Sequence, residues 1–413
     1  MRINFLKPVL VCSAVAVSLV SCKKDVKEEV AAVEVIPGIN LAFMDTTVSP
    51  KADFFRFVNG KWLDSTEIPA DRTSWGSFNE LRKKTDADVL AILNEAMNDT
   101  GLVAGSDQAK AVYFFQTIMD TVNRNKQGIE PLKPYLAKID AIKDVAGLQA
   151  FLTEMQPLGG AGFIGFGVGA DAKDSNKNRA GLFAGPLGLP DRDYYVANDA
   201  DSKDKRVKYE AHVARMLKFL GDDDQKAAKD AARILAFETK LAQPRLDKVQ
   251  RRDPNLTYNP TAISDLQKWV PAFNWKMYFE GIGAKNLDTI DVGQVAYTKS
   301  LQNIFNNKNV EDWKAYLRWT LINEAAGMLT TEIETANWEF YSKTLRGAQK
   351  ELPRDERALQ TVNWTLGEAL GKLYVDKKFP AEAKAQAVEM IENIKKAYEN
   401  RINALTWMDA ETK

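Results

Sequence analysis

The stretch DFFRFVNGKWLDSTEIPADRTSWGSFNELR, residues 53–82, sets aromatic residues, an Asn-Gly pair, a proline and two tryptophans at irregular intervals. Neither the 3.6-residue period of a helix face nor the two-residue alternation of a strand generates that order. A particular tertiary arrangement must specify it. Within it Trp62 reads as buried and Pro69 as a turn.

Toward the N-terminus, Arg2 and Lys7 precede a short apolar run from Val9 to Val20, and Leu19-Val20-Ser21-Cys22 follows. A cationic start with an apolar run too short to span a bilayer reads as an export signal. Residues 1–21 are therefore expected to be a signal peptide. The Leu-Val-Ser-Cys ending resembles a bacterial lipoprotein signal, which makes Cys22 the lipidation site; the plain alternative is a secretory signal with an incidental cysteine. The chain's second cysteine, Cys12, lies inside the signal, so no disulfide is available to the body. Residues 22–50, charged and then small and apolar around Pro37-Gly38, read as a flexible tether.

Toward the C-terminus, helical patterns dominate. Val89, Ile92, Leu93 and Ala96 share one face, as do Val112, Phe115, Ile118, Met119 and Val122. Further stripes run through Tyr209 to Leu220, Ile234 to Leu241, Trp313 to Leu321 and Ile333 to Leu345. The cleanest, behind Pro380, joins Val388, Ile391, Ile394, Tyr398, Ile402 and Leu405. One segment alternates instead: residues 163–189, with the turn cluster KDSNKN at 173–178, predict a β-hairpin. The expected fold is mainly α, a large multi-helix lobe over about 51–360 with that hairpin set in it, then connecting helices over 361–413. Asp409 stands as an N-cap with Glu411 in the first turn of a further helix, so the sequence reads as truncated before a following domain.

Equal numbers of cationic and anionic side chains, 56 each, argue against nucleic acid as the partner. Gly160-Ala-Gly-Phe-Ile-Gly165 has dinucleotide-binding spacing, but that chemistry needs a strand before it and a helix after it, and here the order is reversed. The chain has one histidine, His212. It cannot build the paired imidazoles of an H-E-x-x-H zinc site, and it reads as a histidine at the margin of a helix stripe. No nucleophile with an activating base is legible. In Gly185-Pro-Leu-Gly-Leu-Pro-Asp191-Arg192-Asp193-Tyr-Tyr195, Asp191 and Asp193 are candidate metal or acid–base groups; the structural alternative makes Asp191 a cap and Arg192 an ion-pair partner.

The 53–82 string and the 185–195 string together resemble the neprilysin and endothelin-converting-enzyme family of zinc metallopeptidases. Arg251-Arg-Asp-Pro254, Tyr258-Asn259, Pro271 to Trp275, Leu366 to Val375 and Leu405 to Thr412 follow in the same order. The resemblance implies two mostly helical lobes around a chamber, one carrying zinc and the other limiting access to small peptides. This chain then corresponds to the substrate-gating lobe. The zinc ligands and catalytic groups belong to a missing C-terminal catalytic domain, so no catalytic or metal residue is assigned here and the chain alone is expected to bind no zinc and to be inactive. Of the two arginines by which this lobe approaches substrate, one falls on Arg82 and the other on Ser74. Arg82 is the candidate substrate-binding residue, able to hold a peptide carboxylate; the alternative is a surface helix arginine. Expected partners are peptide substrates, the catalytic domain and, through Cys22, the cell-envelope membrane. A competing reading is a helical cell-surface lipoprotein that binds glycans or peptides without catalysis, using some of its nine tryptophans as stacking platforms.

Overall fold

Asp53 sits in extended backbone and accepts the Arg56 N–H at 2.8 Å, starting helix α1, Phe54–Ser65. The computed structural model that shows this describes residues 38–99 and 101–413. The signal segment 1–21 and Cys22 lie outside the described residues. The fold divides into two units between Glu67 and Ile68.

In the first unit, a 3₁₀ turn at Leu41–Phe43 is capped by Asn40 and packs on α1. Asp45 donates its N–H to the Phe57 carbonyl at 2.8 Å, and the rings of Phe43 and Trp62 lie 6.4 Å apart. Gly60 is the buried residue of α1; a Cβ there would stand 2.5 Å from the Asp45 Cβ, so the glycine of the Asn-Gly pair is what lets the two segments approach. Residues 40–48, part of the expected tether, are thus built into structure. Trp62 is half-buried.

The second unit is mainly helical around two apolar clusters. In the smaller one, Val89 and Leu93 of α2 (Ser77–Ala96) meet Val112, Phe115 and Ile118 of α3 (Asp107–Met119) and Leu359, Val362 and Leu370 of the long helix Arg354–Lys378. That helix leaves helical backbone at Leu366, beside Gly367. The larger cluster holds the other stripes, including Tyr209, Val213, Phe237, Trp313 and Phe340, at or near zero exposure.

The hairpin is present as β1, Ile164–Ala170, antiparallel to β2, Asn178–Ala184. Two short strands with no clear alternation complete a four-stranded sheet: β3 is Pro260–Ala262 and β4 is Thr289–Val292, in the order β1-β2-β4-β3, with β4 parallel to β2.

One stripe departs from expectation, and another forms as expected but stands open. Val122 is exposed because Asp120 ends α3 and caps the next helix through Asn123 N–H, which rotates the face away. Helix Ala381–Ala404 forms, but it has no buried residue, and Val388, Ile391, Ile394 and Tyr398 are all exposed. A period in sequence shows which residues share a face, not what covers it. Asp409 accepts the Thr412 N–H at 2.7 Å, as a cap does.

Candidate functional site

The carbonyl of Ala70 accepts the N–H groups of both Gln349 and Lys350 at 2.9 Å, tying the loop after Pro69 to the segment leading into the Arg354–Lys378 helix. Arg72 reinforces the tie through Glu356, Nη2 to Oε2 at 2.7 Å. Between this joint and α2 opens a cleft of about 750 Å³, within the size range of small-molecule and peptide-end sites.

Helical spacing supplies two walls. Asn79, Arg82 and Asp86 stand at i, i+3 and i+7 on α2, and Arg357, Gln360, Asn363 and Trp364 follow the same period on the long helix. The third wall is a π-helical turn, Glu339–Thr344, with Ser342 in the cleft and Arg346 just beyond. The Gly347 N–H bonds the Lys343 carbonyl at 3.0 Å with φ at +84°, a left-handed closure that favours glycine. π turns concentrate at functional sites.

Four arginines line the cleft, and they are not equivalent. Arg72 is paired with Glu356. Arg357 bonds Glu334 at 2.8 Å and also Glu351, inside a cluster where Arg354 holds the second Glu334 oxygen at 2.7 Å and Arg124 stands 3.5 Å away. Arg82 gives only its Nε, to Asp86 Oδ1 at 2.8 Å, and among the described residues both Nη groups are without a partner on a side chain 55% exposed. Arg346 is exposed and makes no ion pair or side-chain hydrogen bond among the described residues. Beside them Trp364 is 92% exposed, so the cleft offers two open guanidinium heads and an open indole face. Guanidinium forks match carboxylates, and indole faces take apolar or cationic groups.

Arg82, the sequence candidate, therefore lies in this cleft. Ser74 is exposed in the same loop and is not among its lining residues, whereas Thr73 is. Sequence reasoning missed Arg346, Arg357 and Trp364. An exposed tryptophan one residue off a buried helix stripe was the available signal for Trp364.

Asp191 and Asp193 have structural roles. Asp191 Oδ1 accepts the Asp193 N–H at 2.8 Å and Arg192 pairs with Asp193 at 3.2 Å. The string they belong to wraps a fully buried carboxylate, Glu238, which accepts from Tyr209 at 2.6 Å, Tyr195 at 2.8 Å and Gly188 N–H at 3.1 Å. Burial pushes the Glu238 carboxyl up, while these donors hold it down. Gly188 is required here, since a Cβ would overlap the Tyr209 hydroxyl. Gly160 to Gly165 leads into a strand, which removes the helix N-terminus a pyrophosphate needs.

His212 is buried, stacked on Phe340 at 4.6 Å and edge-on to Trp319 and Tyr341. Burial, with Arg215 nearby, depresses it to about 3. Enclosed by aromatic rings, it has no carboxylate or second imidazole with which to share a cation, and among the described residues no three His, Cys, Asp or Glu come together as a metal site. The residues present do not fit zinc.

Comparison with known proteins places these features. The N-terminal model of peptidase family M13 matches residues 50–413. Endothelin-converting enzyme 1 of Mus musculus is 29% identical over 387 residues, covering 90% of this chain and 49% of that protein; the Homo sapiens enzyme is 28% identical over 390 residues with the same coverage. The crystal structure of Mycobacterium tuberculosis zinc metalloprotease Zmp1 in complex with inhibitor is 34% identical, with a TM-score of 0.82, over 91% of this chain and 56% of that one. The chain spans about half the length of the curated relatives it matches.

Proposed function

This chain belongs to peptidase family M13, a family of zinc metallopeptidases, and we propose that it is the substrate-gating lobe of an exported zinc metalloendopeptidase that hydrolyses small peptides. The observation that carries this reading is the cleft in which Arg82, among the described residues, has no partner for either Nη group and stands beside an exposed Trp364. Arg82 holds the carboxylate of a short peptide and Trp364 lies against a neighbouring apolar group, which orients the peptide. Zinc and the catalytic groups reside in a C-terminal catalytic domain outside these 413 residues. Two observations support that division: the relatives are about twice as long, and His212 is enclosed by aromatic rings. The exposed apolar face of helix Ala381–Ala404 is the surface that domain covers.

The test is zinc content and peptide hydrolysis by the purified 413-residue chain. Less than a tenth of an equivalent of zinc and no cleavage are expected; one equivalent of zinc with cleavage abolished by a chelator would overturn the reading.

Among the described residues no helix is long and apolar enough to cross a membrane. Anchoring is assigned to lipid on Cys22, in the cell envelope. Cys22→Ala is expected to move the protein from the membrane to the soluble fraction, and unchanged retention refutes lipidation. The competing reading, glycan capture without catalysis, is favoured by the exposure of Trp364 and Trp407. Glycan binding lost on Trp364→Ala, with no response to peptides, would select it.

A further inference from the structure

β1 is an outer strand of the four-stranded sheet, bonded to β2 on one side only. The two ends of the hairpin show which of its positions are bonded. The Gly185 N–H donates to the Phe163 carbonyl at 3.1 Å, and the Asp171 N–H donates to the Lys177 carbonyl at 2.9 Å. Backbone groups alternate in direction along a strand. Gly165, Gly167 and Gly169 therefore turn theirs toward β2, and Phe166, Val168 and Ala170 turn theirs away. Among the described residues the backbone groups of these last three bond no other element. Val168 and Ala170 are exposed. Soluble proteins blunt such an edge with charge, proline or a bulge. Residues 163–170 hold neither a charged residue nor a proline, and β1 pairs with β2 in unbroken register. The edge from Phe166 to Ala170 is thus built to accept another strand.

We propose that this edge is a binding site for an extended peptide segment, which adds to the sheet as a fifth strand beside β1 and is recognised through its backbone. The choice of a peptide as occupant rests on the reading of the chain as a peptidase lobe. The site itself shares no residue with the arginine-lined cleft and needs no terminal carboxylate. Side chains decide which segments fit. Gly165, Gly167 and Gly169 share one face of β1, and the Phe183 ring lies along that face. A Cβ on Gly167 would stand 3.5 Å from the ring, and one on Gly181 2.5 Å. Phe183 is 51% exposed. A residue of the added strand set opposite Gly167 would lay its side chain against this ring, so apolar and β-branched residues are favoured there. Proline is excluded wherever the N–H faces β1. The ligand class is an uncharged, proline-free extended segment long enough to match Phe166 to Ala170, which the interior of a peptide supplies as readily as its end.

The test uses fluorescence anisotropy of the full chain, with chelator present so that nothing is cut, and the probe dansyl-Thr-Val-Thr-Val-Thr-amide. Blocked at both ends, the probe carries no carboxylate, so failure here leaves the reading of the arginine-lined cleft to its own test. Saturable binding is expected, with slowed amide hydrogen exchange at Val168 and Ala170. Methylating two successive amide nitrogens at the centre of the probe blocks both of its edges and should weaken binding at least about tenfold. Val168→Pro removes an N–H that the ladder with β2 does not use. It should weaken binding as much while the melting temperature stays within about 3 °C. Val168→Thr keeps the N–H and should bind as the unaltered chain does. If Val168→Pro melts lower than that, the methylated probe decides, because it leaves the protein untouched. No binding by the unaltered chain, or binding that survives both methylation and Val168→Pro, overturns the proposal. Binding lost on Arg82→Ala but kept on Val168→Pro places the peptide in the cleft and overturns it too. Dimerisation in sedimentation that Val168→Pro abolishes, without binding of the probe, assigns the edge to a second copy of the chain and overturns the peptide as occupant.

Discussion

Arg82 donates its Nε to Asp86 Oδ1 at 2.8 Å, one helical turn along α2, pairing a half-exposed guanidinium with a buried carboxylate. The bond holds the stem of Arg82 and uses neither Nη group, so stability and binding separate at this residue. Arg82→Ala is expected to cost about 1 kcal/mol or less in denaturant unfolding, as for half-exposed ion pairs, yet to weaken carboxylate-ended peptides about tenfold. Arg82→Lys keeps the charge but not the fork and should fall between. A loss of several kcal/mol in stability would mean that the pair belongs to the fold and not to the site.

Glu238 makes the opposite case. Its three donors come from the 185–195 string and the Ala200–Phe219 helix; the two tyrosines are buried and Gly188 is partly so. Glu238→Ala leaves two tyrosine hydroxyls and one backbone N–H without an acceptor, and a loss of about 3 kcal/mol or more is expected. Gly188→Ala should be comparably damaging through overlap with Tyr209. Chemical denaturation of both variants checks this; losses under 1 kcal/mol would contradict the network's role.

His212 links stability to acid. Its folded value of about 3 lies below the ordinary 6.5, so between those values the unfolded chain binds a proton that the folded chain refuses. The stability this contributes is present above pH 6.5 and is lost as pH falls toward 3. From pH 7 to pH 5 the histidine alone should cost about 2 kcal/mol. His212→Phe, which preserves the stack on Phe340, should remove that share of the pH dependence while leaving peptide binding unchanged. Denaturant midpoints of both proteins at pH 7 and pH 5 give the comparison, and equal slopes would contradict it.

The apolar stripe of helix Ala381–Ala404 contributes nothing to either core cluster. Ile391→Lys with Ile394→Lys is therefore expected to change the stability of these residues by less than about 0.5 kcal/mol and to reduce self-association of the isolated chain, measured by sedimentation. A large loss of stability would show that the stripe packs internally.

These contrasts show what a single sequence discloses. The stripes of α2 and of Tyr209 to Leu217 were legible because local periodicity decides which side chains share a face. The hairpin was legible from alternation and a turn cluster. Strands β3 and β4 were not, because they are short and form only by pairing with a neighbour already in place. The Ala381–Ala404 face was legible as a stripe, but the sequence could not say that no residue of it is buried. The cleft was the least accessible feature. Arg82 was picked out by resemblance, but its neighbours Arg346, Arg357 and Trp364 lie more than 250 positions away, and the joint that brings them together is the bonding of Ala70 to Gln349 and Lys350. No local pattern encodes such a juxtaposition.

The most direct test of the central claim, that this lobe orients peptides through Arg82 and holds no chemistry of its own, is the affinity of the metal-free 413-residue chain for acetyl-Ala-Ala-Phe, measured side by side with Arg82→Ala. The expected result is saturable binding of intact peptide, about tenfold weaker in the variant. Equal affinities in the two proteins, or no binding by either, would contradict it.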